Sequence, residues 1–231
     1  MNYKNNNIIT IDGPAGSGKS TIAKILANDL NFNYIDTGAM YRTMTLIALR
    51  NNIDLEDEKT ILEIAKKSEL QIDSRAGNEN EYTSVKLNGE DITKDIRSSQ
   101  VGSAVSIVSR LSGIRKYLVS LQRSMASSGN SILEGRDTGS VVCPDAALKI
   151  FLTANISERV KRRKLQLEGK SQPMDETSIK EEINERDKID SNREDSPLII
   201  PEDGIELDTS GLTINEVVAR IKKLYYVRSK A

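Results

Sequence analysis

Histidine does not occur in this chain. Without imidazole neither a Ser-His-Asp nor a Cys-His engine can be built, and no histidine can hold a metal. Cysteine occurs once, as Cys143. A lone thiol excludes an internal disulfide framework and a multi-cysteine zinc site, suits a reducing compartment, and is expected to serve in packing. Long uncharged runs are missing too. The apolar run at residues 8–11 meets Asp12 at once and follows a short polar start, so the amino terminus is expected to be neither a signal peptide nor a membrane span. Net charge is almost absent: 33 Lys and Arg against 34 Asp and Glu leave −1. No global positive field draws the chain to nucleic acid, and any anion site must be a local cluster. Chemistry is left to carboxylates, cations, backbone amides and bound ions.

With 231 residues and 37% hydrophobic content, the chain can bury one core and carry one small insertion. Short apolar runs at 8–11, 32–35, 131–133, 148–152 and 205–207 alternate with segments of helical spacing. That alternation predicts an α/β fold, a parallel sheet with helices on both faces. Ile22, Ile25, Leu26 and Leu30 form one helical stripe, and Ile214, Val217, Val218, Ile221 and Leu224 form another behind a Thr213/Glu216 capping box. Further helices are predicted over 39–49, 58–67, 99–108, 113–125, 158–167 and 177–190. Residues 70–96 break the pattern with short alternating segments and an Asn88-Gly89 hairpin signal, read as a small antiparallel insertion. Residues 169–175 are polar and read as a mobile loop between two charged helices.

Gly13-Pro14-Ala15-Gly16-Ser17-Gly18-Lys19-Ser20 satisfies G-x-x-x-x-G-K-[ST] between a strand and an amphipathic helix, with Thr21 next. The glycines let successive N–H groups curl toward phosphate oxygens, and the helix N-terminus adds its dipole. Lys19 is then expected to reach the β and γ phosphates, and the Ser20 hydroxyl to ligate magnesium. A P-loop alone does not separate kinases from switches, motors or nucleotide binders. A guanine-specific N-K-x-D is missing, since no Asn precedes Lys.

A second site is suggested where two further strands end, at Asp36-Thr37-Gly38 leading to Tyr41-Arg42, and at Glu134-Gly135-Arg136-Asp137. Strand ends of such sheets line the binding crevice. Arg42 is either a fork for an acceptor phosphate or an exposed helical arginine. Ile179, Ile183, Arg186, Asp190 and Arg193 advance by helical steps, apolar first and charged last, with Pro197 expected to stop the helix. The charged end is either an anion-holding wall or a surface ion-pair ladder. Arg159, Arg162 and Arg163 cluster behind Ser157, either near a triphosphate or on a solvated basic face.

In these motifs, taken together and in order, the chain resembles the nucleoside monophosphate kinases, and specifically bacterial-type cytidylate kinase. The resemblance extends from about Ile8 to the last helix and includes Pro144-Asp145-Ala146 and Glu185-Arg186-Asp187. It implies a P-loop core of five parallel strands (1–68 and 97–231), a lid at about 157–176, and an inserted β subdomain at 69–96 in the acceptor region. It also implies transfer of the γ-phosphoryl group of MgATP to CMP, and to dCMP; the protein is expected to be cytoplasmic and to bind neither nucleic acid nor membrane, and nothing in the sequence demands more than a monomer. Carried over residue by residue, Ser106, Arg115 and Asp137 read cytosine, Arg186 and Asp190 the sugar, and Arg42, Arg136 and Arg193 the acceptor phosphate. Thr37 supports that pocket, and Arg159 and Arg163 act on the transferring group. Ser20 stands where many members have Gly, so family precedent does not by itself guarantee the magnesium ligation expected of Ser20. The alternatives are a P-loop kinase for UMP, AMP or another small acceptor, and a P-loop ATPase or nucleotide-binding protein.

Overall fold

Ile9 and Ile11 alternate with Ile8 and Thr10, and all four are buried, so the first strand must be covered on both faces. A computed structural model of the chain describes residues 5–73, 83–169 and 174–228. Its main sheet has the parallel order β2-β6-β1-β7-β8, formed by Asn33–Asp36, Ser131–Glu134, Asn5–Asp12, Ala146–Thr153 and Ile205–Asp208. These strands are the five apolar runs of the sequence, four of them lengthened by one to four residues and the run at 32–35 shifted by one to 33–36.

Helices α1 (Lys19–Leu30) and α8 (Ile214–Arg228) cover one face, where Ile22, Leu26, Val218 and Ile221 meet Ile9, Ile11, Leu148 and Ile150. On the other face, α5 (Ser112–Ser127) brings Val119 and Ala126 against Ile8, Leu133 and Cys143. Cys143 is thus a packing residue, its thiol pushed up to about 11 chiefly by burial. A separate core joins α2 (Thr37–Arg50), α3 (Glu58–Lys67), α4 (Ser99–Val108) and α5 to the insertion, whose strands β3 (Leu70–Asp73), β4 (Ser84–Leu87) and β5 (Glu90–Asp91) form an antiparallel sheet. Asn88 and Gly89 both have positive φ, 52° and 83°, as a two-residue hairpin turn requires.

Helices α6 (Ile156–Glu168) and α7 (Glu176–Ser191) pack together, and their Val160, Leu167, Ile179 and Ile183 enclose Ala15 of the glycine-rich turn. The loop expected at 169–175 has its centre, residues 170–173, outside the described residues. One expectation is corrected here: Pro197 does not end α7. The helix stops at Ser191 with Asn192 as its C-cap, so Arg193 lies beyond the helix and is not part of the helical stripe. Asn and Ser are poor helix-interior residues that bond the backbone locally, so they end a helix without a proline.

Candidate active site

The turn after β1 is held by its neighbours. A Cβ at Gly13 would lie 2.1 Å from the Leu152 carbonyl oxygen, and one at Gly16 would crowd the backbone of Arg159. Only glycine lets β7 and α6 close on the loop this tightly. The turn delivers Gly18, with φ 94°, to the start of α1, where no side chain accepts from the first N–H groups. Elsewhere Asp36, Asp57, Ser98, Asn155 and Asp175 cap α2, α3, α4, α6 and α7. Glu58 accepts from Gly113 and Ile114 at the start of α5, and Thr213 with Glu216 closes α8. Among the described helices α1 alone presents its donors and dipole to whatever anion arrives.

Lys19 is buried, its Nζ donating 2.7 Å to the Pro14 carbonyl and 3.3 Å to Ser17 Oγ. Burial and the nearby Arg136 and Arg186 hold its pKa well below the usual lysine range, against the pull of Glu134. The Ser20 hydroxyl donates to Glu134 Oε1 at 2.8 Å, as does Tyr34, while Glu134 Oε2 is buried with no partner. Burial and Asp36 raise the Glu134 carboxyl.

Three connected clefts meet at this point. One of about 490 Å³ runs from residues 16–22 past Glu158, Arg162 and Thr209 to Leu212 and Ile214. Another of about 760 Å³ lies between Lys24, Asp36 and Arg42 on one side and Arg97, Ser98, Ser103 and Glu182 on the other. A neck of about 160 Å³ joins them, walled by Lys19, Arg42, Arg136, Arg163 and Arg186 with Glu134 and Glu182. Cations are crowded there. Arg186 is half-buried with its Nε enclosed and unpartnered, and desolvation with the nearby Arg136 and Arg42 pushes it down to about 9. That depression leaves it charged at neutral pH and comes from desolvation first and the neighbouring guanidinium groups second; a polyanion in the neck would relieve the second.

Arg136 donates from Nε to Asp190 at 2.7 Å; Arg193 lies 3.6 Å from the other oxygen of that carboxylate and donates to the Ser196 carbonyl. Burial alone would raise the Asp190 carboxyl, but Arg136, Arg186 and Arg193 together bring it below the usual range. Deeper in, Arg115 pairs with Asp137 and lies 5.1 Å above the Tyr41 ring, all three buried. Ser106, on α4, is half-buried. Thr37 donates to the Glu134 carbonyl at 2.6 Å. The structure therefore gathers Lys19, Arg42, Arg136, Arg163 and Arg186 around one neck, with Ser20 beside them. It sets Arg115, Asp137 and Arg193 behind it, outside the walls of these clefts.

Four contributors escaped the sequence reading. Glu134 and Asp187 stood inside motifs without a role. Arg162, one of an undifferentiated basic run, donates to the Ser17 carbonyl and to Thr209 across the loop. Thr209 follows the end of β8, and the strand-end rule that found Thr37 would have found it.

A parallel sheet whose central strand runs through a glycine-rich turn into an uncapped helix bearing lysine and serine defines a P-loop nucleotide-binding protein. In fold, the chain is similar to a crystal structure of an uncharacterized protein from Eubacterium ventriosum, with a TM-score of 0.50, 16% identity, and coverage of 94% of this chain and 97% of that one. The family model for cytidylate kinase matches residues 9–226. The cytidylate kinase of Caldanaerobacter subterraneus subsp. tengcongensis is 48% identical over 213 residues, 92% of each chain. That of Lactobacillus johnsonii is 47% identical over 222 residues, 96% of this chain and 95% of its own. The chain belongs to the cytidylate kinase family.

Proposed function

We propose that this chain transfers the γ-phosphoryl group of ATP to CMP, and to dCMP, giving CDP or dCDP and ADP. The observation that carries the reading is the cationic neck between two clefts, each open to a nucleotide. ATP would occupy the cleft along residues 13–21, its phosphates on the amides of the turn and on Lys19. The acceptor phosphate would take the forks of Arg42 and Arg136, with Arg193 behind them, supported by Thr37. Arg186 and Asp190 would hold the sugar. Ser106, Arg115 and Asp137 would read cytosine: a carboxylate accepts from the exocyclic amine, an arginine donates to O2 and N3, and uracil would offer that carboxylate another acceptor.

In the transfer, an acceptor phosphate oxygen forms a bond to the γ phosphorus as the bond to the β–γ bridging oxygen breaks. The electron pair leaves with ADP. A phosphate dianion is a competent nucleophile at neutral pH, so no histidine base is needed. The residues contribute positioning and charge neutralisation: Lys19, Arg159 and Arg163 at the moving group, Arg136 at the acceptor. A magnesium ion fits the hard oxygens of Ser20 and Glu134, whose Oε2 lacks a partner, and supplies further neutralisation of the phosphates. Among the described residues no group of three acidic side chains is placed to hold a metal, which suits an ion that keeps waters and leans on substrate phosphates. Residues 69–96 are proposed as an acceptor-side subdomain and 157–176 as a lid, in an enzyme that works in the cytoplasm as a monomer on small molecules. A coupled assay of ADP release across CMP, dCMP, UMP and AMP tests this. CMP and dCMP should be the fastest acceptors, and no advantage for either over UMP and AMP overturns it.

A further inference from the structure

Asp187 lies on α7 one position past Arg186, and its carboxylate reaches out of the helix to the glycine-rich turn. Oδ1 accepts from the Ala15 main-chain N–H at 3.0 Å, across 172 residues of sequence. Oδ2 pairs with Nη1 of Arg159, which also donates to the Ala15 carbonyl at 3.1 Å. One carboxylate thus ties together the phosphate-binding turn, the first turn of α6 and the helix that carries Arg186 and Asp190. The contact is shielded, with the Arg159 side chain 11% and the Asp187 side chain 20% exposed.

The backbone of Arg159 is seated directly on Gly16, where a Cβ would come within 3.1 Å of its carbonyl oxygen. Its Nε is buried without a partner. The main chain of Arg159 is therefore fixed against the turn, and the direction of its guanidinium is set by Ala15 and Asp187. Ala15 offers a neutral carbonyl, Asp187 a charge-assisted partner, which is the stronger kind. Without it, nothing charged among the contacts of Arg159 would keep the fork folded over the turn.

We infer that Asp187 is a positioning residue for phosphoryl transfer: it aims Arg159 at the phosphate held by the turn and fastens the acceptor-side helix α7 to the donor loop. The inference rests on the reading of Arg159 as an arginine that acts on the transferring group. Because the effect is exerted through Arg159 in the transition state, it should appear in kcat rather than in the KM for CMP.

The test compares Asp187→Ala, Asp187→Asn, Arg159→Ala and the double Asp187→Asn/Arg159→Ala variant, which keeps an acceptor for the Ala15 N–H, in steady-state kinetics with CMP and ATP, alongside thermal unfolding of each. Asn can still accept from Ala15 but brings no charge to Arg159. Both Asp187 variants should lower kcat by roughly tenfold or more with the KM for CMP changed less than about threefold. The double variant should be no worse than Arg159→Ala alone, since the two residues act as a unit. If Arg159→Ala lowers kcat while Asp187→Asn stays folded and within about twofold of the unaltered enzyme, the inference is overturned and the reading of Arg159 stands. If effects multiply in the double variant, the inference fails likewise. An Arg159→Ala variant with full kcat overturns both, whereas no CMP turnover by the unaltered protein overturns the proposed function itself.

Discussion

At the residue scale, the recurring motif is a buried charge whose surroundings were assembled for something else. Asp12 closes β1 just before the glycine-rich turn. Its carboxylate accepts from the Thr138 N–H and hydroxyl and from the Gly139 N–H, at 2.7 to 2.9 Å, so the donor strand is bolted to the segment that carries Arg136 and Asp137. Complete burial still wins over these three donors and raises its carboxyl to about 6. The folded state therefore holds this proton more tightly than the unfolded chain, and the associated stability is full below pH 3.8 and lost as pH rises through 6. The span corresponds to about 3 kcal/mol at 1.36 kcal/mol per unit. Asp12→Asn cannot titrate, and its amide must turn an N–H toward one of the donors. The stability advantage of the unaltered protein over Asp12→Asn should therefore shrink by up to about 3 kcal/mol between pH 4 and pH 7. Denaturant unfolding of both proteins across that range measures it, and a constant difference would refute the assignment.

At the scale of elements, the hairpin of the insertion shows how much a short sequence can fix. Asn88 uses its left-handed conformation and its side chain at once, Oδ1 accepting from Glu69 N–H at 2.8 Å, while Gly89 at φ 83° has open space where a Cβ would go. Gly89→Ala should cost only backbone strain, about 1–2 kcal/mol, and lower the unfolding midpoint by a few degrees without touching CMP turnover. A loss of activity larger than the loss of stability would mean that the insertion does more than pack against the helical core. That turn, both capping-box residues and the helices over 58–67 and 99–108 were legible because each follows from chemistry local to a few residues. The cause of the end of α7 was not, although the predicted helix over 177–190 stops within one residue of it. Proline is a loud stop signal, but the helix had already ended at Ser191 and Asn192, residue types of low helix propensity that mark an end more quietly. Asp187 was hidden for a related reason: a step of three from Ile183 lands on Arg186, a step of four on Asp187, and both lie on the buried side of the helix. Sequence spacing gives the face and leaves open which residue on it reaches a loop 172 positions away.

At the scale of the molecule, the sheet order places the donor turn at its centre, with β6 and β7 on either side, so both clefts open at the carboxyl ends of the strands. The two clefts share one neck and one set of cations, so their ligands cannot be independent. Lys19, Arg136 and Arg186 repel one another within it; of the counter-charges present, Asp190 is engaged by Arg136, Glu182 by Arg163, and Glu134 by Ser20 and Tyr34 through one oxygen. Filling only one cleft relieves part of that repulsion. A single molecule that spans the neck relieves all of it and loses its translational freedom once. Adenosine and cytidine joined by five phosphates should therefore bind at least about a hundredfold more tightly than ATP or CMP alone, and the advantage should fall as salt rises because it is carried by charge. The corresponding diadenosine compound has the same phosphates and a base that Asp137 and Arg115 cannot pair in the same way. Calorimetric titration of both, at low and high salt, separates the contributions. Equal affinity for the two compounds would leave the neck as a phosphate site and remove Arg115 and Asp137 from base selection. A mixed compound no tighter than ATP would mean that the two clefts do not hold nucleotides at once.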